Sequence, residues 1–159
     1  MSKRRLAFDP GKTGGWALLD DDLLVEWGRM PVTKSKPPRY DYKAIDDLYA
    51  QYRPDQCVIE KVNAHASPSA SGAFSLGGCF EMLAAVAALR SCPVVYAPPQ
   101  GKAGWPQEMV SGPNKADKAA HRDDAARLFP EFLKDSRVKA NDGPADAILM
   151  AEWARRRNL

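Results

Sequence analysis

The chain has 159 residues, 45% hydrophobic and 27% charged, with a net charge of +3 and a pI near 8.8. That size fits one folded core and leaves no room for two substantial domains. No apolar run approaches the roughly 18 residues that span a bilayer, the start "MSKRRLAFDP" is no signal peptide, and Cys57, Cys79 and Cys92 lack metal-ligand spacing, as expected for reduced thiols in a cytoplasmic protein.

"RRLAFD" is a short apolar run that ends on Asp9, followed by a Pro-Gly turn and "GWALLD". "LLVEWGRMPV" comes next, with Leu24, Glu26 and Gly28 opposed to Val25, Trp27 and Arg29. These segments predict three sequential antiparallel strands joined by tight turns. Gly11-Lys12-Thr13 is how a phosphate-binding loop ends, but that motif needs a second glycine five positions earlier, and Leu6 stands there. The motif fails, and attention moves to the carboxylate in front of it.

"VTKSKPPRYD" is a loop, and Asp41 to Tyr52 fits a helix one face deep. "QCVIEKV" suits a buried central strand, where Glu60 is costly unless something cationic holds it. Residues 63–72 read as a loop. "GAFSLGGCFEMLAAVAALRS" is a long helix, apolar nearly all round, as suits a helix covered on two sides. "PVVYAPP" is a further strand and "QGKAGWPQEMVSGP" a loop. Asn114 would cap a helix running to Phe129, on which Lys115, Lys118 and Arg122 share a face. A last helix runs from Asp142 to Arg157, with Pro144 in its first turn. The order βββ-α-β-α-β-α-α implies an α/β protein: a mixed five-stranded sheet with helices on its faces.

Four acids stand out by position. Asp9 ends the first strand and Glu60 the central one, while Asp142 and Asp146 lie four apart at the start of the final helix and so share a face. If the first and fourth strands are neighbours, their ends come beside that helix start. An all-oxygen set suits Mg²⁺ or Mn²⁺ and disfavours zinc.

This pattern resembles the RuvC family of Holliday-junction resolvases, in its compact phage and bacterial form. The resemblance covers almost the whole chain: "LAFDPGKTGGWALL" is similar to the family's first hairpin, "CVIEKV" to its glutamate strand, and "SLGGCFEMLAAVAAL" to its dimer-interface helix. "VVYAPPQGK" resembles the strand and lysine-bearing loop, "ADKAAHRDDAARLFPE" the lysine helix, and "NDGPADAILMAEWA" the closing acidic helix. The resemblance implies one RNase H-like nuclease domain over 1–159 that acts as a homodimer on branched DNA in a bacterial or phage-infected cell. It implies two divalent cations per site, held by Asp9, Glu60, Asp142 and Asp146, with Lys118 as a further catalytic group. Lys102, Lys115 and Arg122 would contact DNA phosphates, with Lys12, Asn63 and His65 near the DNA. Two departures are visible. The closing acids are four apart here and three apart in longer members. Asn63 stands where some members carry an aromatic wedge, so that His65 or Phe74 enters the junction, or no residue does.

Other readings predict different behaviour. Asp9, Gly11 and Thr13 also fit the phosphate loop of actin-like sugar kinases, which need a second lobe to enclose ATP. A purely DNA-binding module would gain nothing from clustered carboxylates near phosphate. A nuclease specific for forks or flaps would carry the same residues as a junction resolvase.

Overall fold

A computed structural model describes residues 2–63, 69–134 and 142–159. Five strands, β1 (Arg4–Asp9), β2 (Gly15–Asp20), β3 (Leu23–Arg29), β4 (Gln56–Glu60) and β5 (Val94–Ala97), form one sheet in the order β3-β2-β1-β4-β5. β1, β2 and β3 pair antiparallel, while β4 pairs parallel with both β1 and β5. The mixed sheet is as the sequence predicts, and the pairing of β1 with β4 meets the condition on which the convergence of the four acids depends.

Alternation along the strands divides the interior into two layers. Leu6, Phe8, Trp16, Leu18, Cys57 and Ile59 point to one face, covered by α1 (Tyr42–Tyr52) and α2 (Ala70–Leu89). Ala7, Ala17, Leu19, Val58 and Ala97 point to the other, covered by α3 (Trp105–Met109), α4 (Lys118–Leu128) and α5 (Asp142–Arg156). The small residues on that second face let α5 lie close, and it is buried continuously from Gly143 to Ala154. Ile148, Leu149, Met150 and Trp153 each contribute about 1.5–3 kcal/mol by that burial.

Several local features differ from the sequence reading. The strict alternation expected for β3 is broken by a bulge: Leu18 pairs with Glu26 but Leu19 with Leu24, so Val25 is an extra residue. Leu24 and Trp27 therefore join the same apolar layer. The expected loop at 100–113 contains α3, whose Trp105 and Met109 are buried. The lysine helix starts at Lys118, because the Asp117 carboxylate accepts from the Ala119 N–H and caps it, whereas Asn114 accepts from Ala116 in the preceding turn. Lys115 thus lies ahead of the helix and does not share its face. The Arg155–Arg157 run is engaged by acids: Arg155 and Arg156 both donate to Glu152, and Arg157 to Glu108.

α2 also corrects the exclusion of a membrane-length apolar stretch, since its 20 residues are long and apolar enough to cross a bilayer by length and composition. The sheet accounts for one side of it, through the buried Cys79, Leu83 and Ala87. Its opposite side, including Phe74 and Leu89, is open.

One buried carboxylate fixes the α3–α4 connection. Asp124 accepts from the Ser111 N–H at 2.6 Å, the Ser111 hydroxyl at 2.8 Å and Arg127 at 2.7 Å. Burial opposes its charge, but these donors outweigh that and hold its carboxyl below the usual range. A depressed folded-state pKa stabilises above the unfolded value and is lost as pH falls through the folded one. Asp124→Asn should therefore lower unfolding free energy by about 1–3 kcal/mol at pH 7. The difference from wild type should shrink below about pH 4, in urea titrations at both pH values.

Candidate active site

The parallel pairing of β1 with β4 sets Phe8 opposite Ile59, so the next residues, Asp9 and Glu60, stand side by side where both strands end. Strand ends of an open α/β sheet are where side chains leave the packed layers and become available to ligands. Both carboxylates border a cleft of about 390 Å³, lined also by Thr13, Lys61, Asn63, Leu76 and Gln100.

The β1–β2 turn brings the final helix to this place. Gly14 and Gly143 are paired backbone to backbone. A Cβ on Gly143 would sit 2.6 Å from the Gly14 Cα, and one on Gly15 would sit 2.6 Å from the Gly143 carbonyl carbon. Only residues without a Cβ allow this approach. Gly14 and Gly15 of "GKTGG", a stretch that looks at first like a phosphate loop, are therefore the seat for the start of α5. From that seat Asp146, buried, and Asp142, half-buried, point toward the strand ends.

Asp146 is held from two directions. Lys118 of α4 makes an ion pair with Oδ2, and His121, one turn further along, places Nδ1 2.5 Å from Oδ1. The other nitrogen, Nε2, lies 2.8 Å from the Lys115 carbonyl. A carbonyl only accepts, so Nε2 carries a proton, and the carboxylate beside Nδ1 favours a second. Burial works against the charged ring, yet Asp146 and the Lys115 carbonyl outweigh it and raise the His121 pKa above its usual value. The Lys118 ammonium likewise loses hydration but gains more from Asp146, and its pKa rises. Arg122 makes an ion pair with Asp142.

Glu60 accepts from the indole N–H of Trp105 at 2.9 Å. Burial raises its pKa, against that hydrogen bond and with the charge of Asp146. Asp9 is pushed furthest: burial first, then Asp146 and Glu60, hold its carboxyl well above the usual carboxylate range despite Lys118. Asp142 adds to the same effect. The four acids predicted from sequence thus act on one electrostatic neighbourhood, together with Lys118.

Among the described residues, no three carboxylate, histidine or cysteine side chains converge tightly enough to hold a cation. The oxygens of Asp146 and Asp142 are engaged by Lys118, His121 and Arg122 instead. The donor set nevertheless fits a hard divalent ion: it is all oxygen, and a cation would offset the burial and the neighbouring negative charge that raise Asp9 and Glu60.

The residues read as DNA contacts are distributed unevenly. Lys12 is exposed on the β1–β2 turn, Lys102 is exposed on the loop before α3, and Asn63 borders the cleft. Lys115 turns its ammonium onto the Val110 carbonyl, and Arg122 turns onto Asp142, so both have protein partners. His65 lies outside the described residues. Trp105 is buried, and Phe74 is exposed at the head of α2. The sequence reading missed His121, whose partner is 25 residues away, and Lys61, which follows Glu60 into the cleft.

A mixed five-stranded sheet with carboxylates at the ends of its first and fourth strands and at the start of a covering helix defines an RNase H-like fold of RuvC type. The solved structures agree. Thermus thermophilus RuvC in complex with a Holliday junction substrate aligns with a TM-score of 0.71 and 14% identity over 98% of this chain and 96% of that one. T. thermophilus RuvC in a second structure aligns at 0.65 and 13%, again over 98% and 96%. The yeast mitochondrial Holliday junction resolvase aligns at 0.51 and 11%, over 97% and 79%. No protein-family model matches the sequence, and no curated protein does.

Proposed function

We propose that this chain is a metal-dependent endonuclease that resolves four-way DNA junctions by paired phosphodiester hydrolysis, leaving 5′-phosphate and 3′-hydroxyl ends. The observation that carries the reading is the meeting of Asp9, Glu60, Asp142 and Asp146 with Lys118 at one end of the sheet. The similarity in fold to RuvC over nearly the whole chain supports the choice of substrate.

Asp9, Glu60, Asp142 and Asp146 would hold Mg²⁺ or Mn²⁺, two ions per site. Bound there, such ions supply Lewis acidity at the scissile phosphate and lower the pKa of the attacking water. Lys118, tethered to Asp146, places a positive charge where phosphate charge builds up. Lys61 lines the cleft, and Lys12 and Lys102 are exposed on segments whose residues Thr13 and Gln100 line it, an arrangement suited to backbone phosphates, so affinity should fall steeply with salt.

Paired cuts in a two-fold substrate call for two sites related by two-fold symmetry. The open side of α2 is the surface suited to a second copy: Phe74, Gly78, Ala85 and Leu89 are exposed along it, and a Cβ on Gly77 or Gly78 would meet nothing. Ala85→Arg should leave the monomer folded but convert a dimer to monomer in light scattering after gel filtration, and paired cutting should become single nicking. An unchanged mass would remove α2 from the interface.

The defining experiment offers a synthetic four-way junction, a fork, a flap and a linear duplex to the chain with Mg²⁺ or Mn²⁺. Symmetric nicks confined to the junction are the expected result. Preferential cutting of fork or flap would assign the chain to the other class of branched-DNA nuclease, and equal cutting of all four would end the junction reading.

A further inference from the structure

Next to the acids, lining a second cavity that shares Glu60 and Gln100 with the cleft, two aromatic side chains that belong to none of the expected functional positions are joined to one another. Trp105 of α3 is 1% exposed and donates its indole N–H to Glu60 Oε1 at 2.9 Å. His121 of α4 is 3% exposed and meets Asp146 Oδ1 at 2.5 Å. Their rings pack edge to face, with centroids 5.4 Å apart. His121 is anchored from behind as well, because Nε2–H donates 2.8 Å to the Lys115 carbonyl.

We infer that Trp105 and His121 are positioning residues that act as one template for the two carboxylates, fixing Glu60 and Asp146 relative to each other. The inference rests on the proposed metal-dependent reading of the site. Glu60 and Asp146 come from β4 and α5, and nothing in either element alone determines how far apart their oxygens lie. The packed ring pair spans that gap. Trp105 takes Glu60 Oε1 and His121 takes Asp146 Oδ1, while Lys118 pairs with Asp146 Oδ2, so both carboxylates are oriented before any cation arrives. The glutamate and the aspartate then need little reordering on binding, and that preorganisation shows as affinity.

A bland alternative is that a buried tryptophan and a buried histidine simply fill the space between α3, α4 and the sheet. Substitutions that keep shape but remove hydrogen bonds separate the two. His121→Phe keeps the ring and its packing against Trp105 but loses both donors. His121→Asn restores a donor at the position of Nδ1. Trp105→Phe keeps an aromatic ring and loses only the N–H to Glu60.

The test is calorimetric titration of Mn²⁺ into the DNA-free protein, with thermal melting run in parallel. Hydrogen-bonded supports of metal ligands change affinity about 10–100-fold when removed, so His121→Phe should weaken Mn²⁺ binding by that range and Trp105→Phe by about 10-fold. His121→Asn should recover most of the His121→Phe loss. Equal Mn²⁺ affinity in wild type and His121→Phe, or equal losses in His121→Phe and His121→Asn, would overturn the template. Should His121→Phe fail to fold, unchanged affinity in Trp105→Phe overturns it. Absence of Mn²⁺ binding by the wild type would instead overturn the metal reading of the site, a separate result.

Discussion

Asp146→Asn is expected to reduce cleavage of any branched substrate at least about 100-fold while leaving the chain folded and still able to bind DNA. The substitution keeps shape and removes one charge. Asp146 is the acid on which the site's electrostatics depend most: it carries the Lys118 ion pair and the His121 hydrogen bond, and it raises both Asp9 and Glu60. Losing its charge should weaken Mg²⁺ binding and leave the Lys118 ammonium without its counter-charge. The Lys118 side chain is half exposed, so water rehydrates it and the stability cost stays small. Single-turnover cleavage and a gel-shift assay in the absence of divalent ions measure the two halves of this prediction. Undiminished cleavage would remove Asp146 from the active site.

The second large effect is expected from a residue with no side chain. Gly143→Ala introduces a Cβ into the backbone of Gly14, where neither partner has a flexible group that yields. Overpacking of this kind costs about 1–3 kcal/mol. The movement that relieves it carries the start of α5 away from the β1–β2 turn, and Asp142 and Asp146 go with it. Activity should therefore fall far more than stability does, because small displacements of ligating groups are amplified in rate. A melting temperature only a few degrees lower, together with a loss of cleavage comparable to Asp146→Asn, is the expected pair of results. A variant that melts lower yet cuts normally would show that α5 does not need this seat.

Much of this site was legible in the sequence because a carboxylate at the end of an apolar run conflicts with its surroundings. Asp9 and Glu60 could be picked out in that way, and Asp142 and Asp146 by their helical spacing. The neighbourhood of the first and fourth strands entered the reading only as a condition, because strand pairing is decided by the packing of the whole sheet. What escaped had causes that act across the fold. The β3 bulge depends on pairing with β2, so Val25 gave no local sign of it. α3 is five residues long with a proline in its first turn, too short for periodicity to show. His121 looked like one histidine on a helix, because its meaning comes from Asp146 and Trp105, which only the packing of α3, α4 and α5 brings to it. Lys115 and Arg122 were read as a free basic face, and the structure gives each a protein partner.

The contact between Gly14 and Gly143 has a consequence for the life of the chain before it is complete. Asp9 and Glu60 lie on strands that are synthesised early, but the acids that accompany them ride on α5, after all five strands and α1 to α4. Contacts between such distant segments carry the largest loop-closure cost and form late in folding. A nascent chain can therefore build its sheet on the ribosome while the carboxylate cluster at the strand ends is still missing half of its charge. Chain order delays the assembly of the four acids until the fold around them exists.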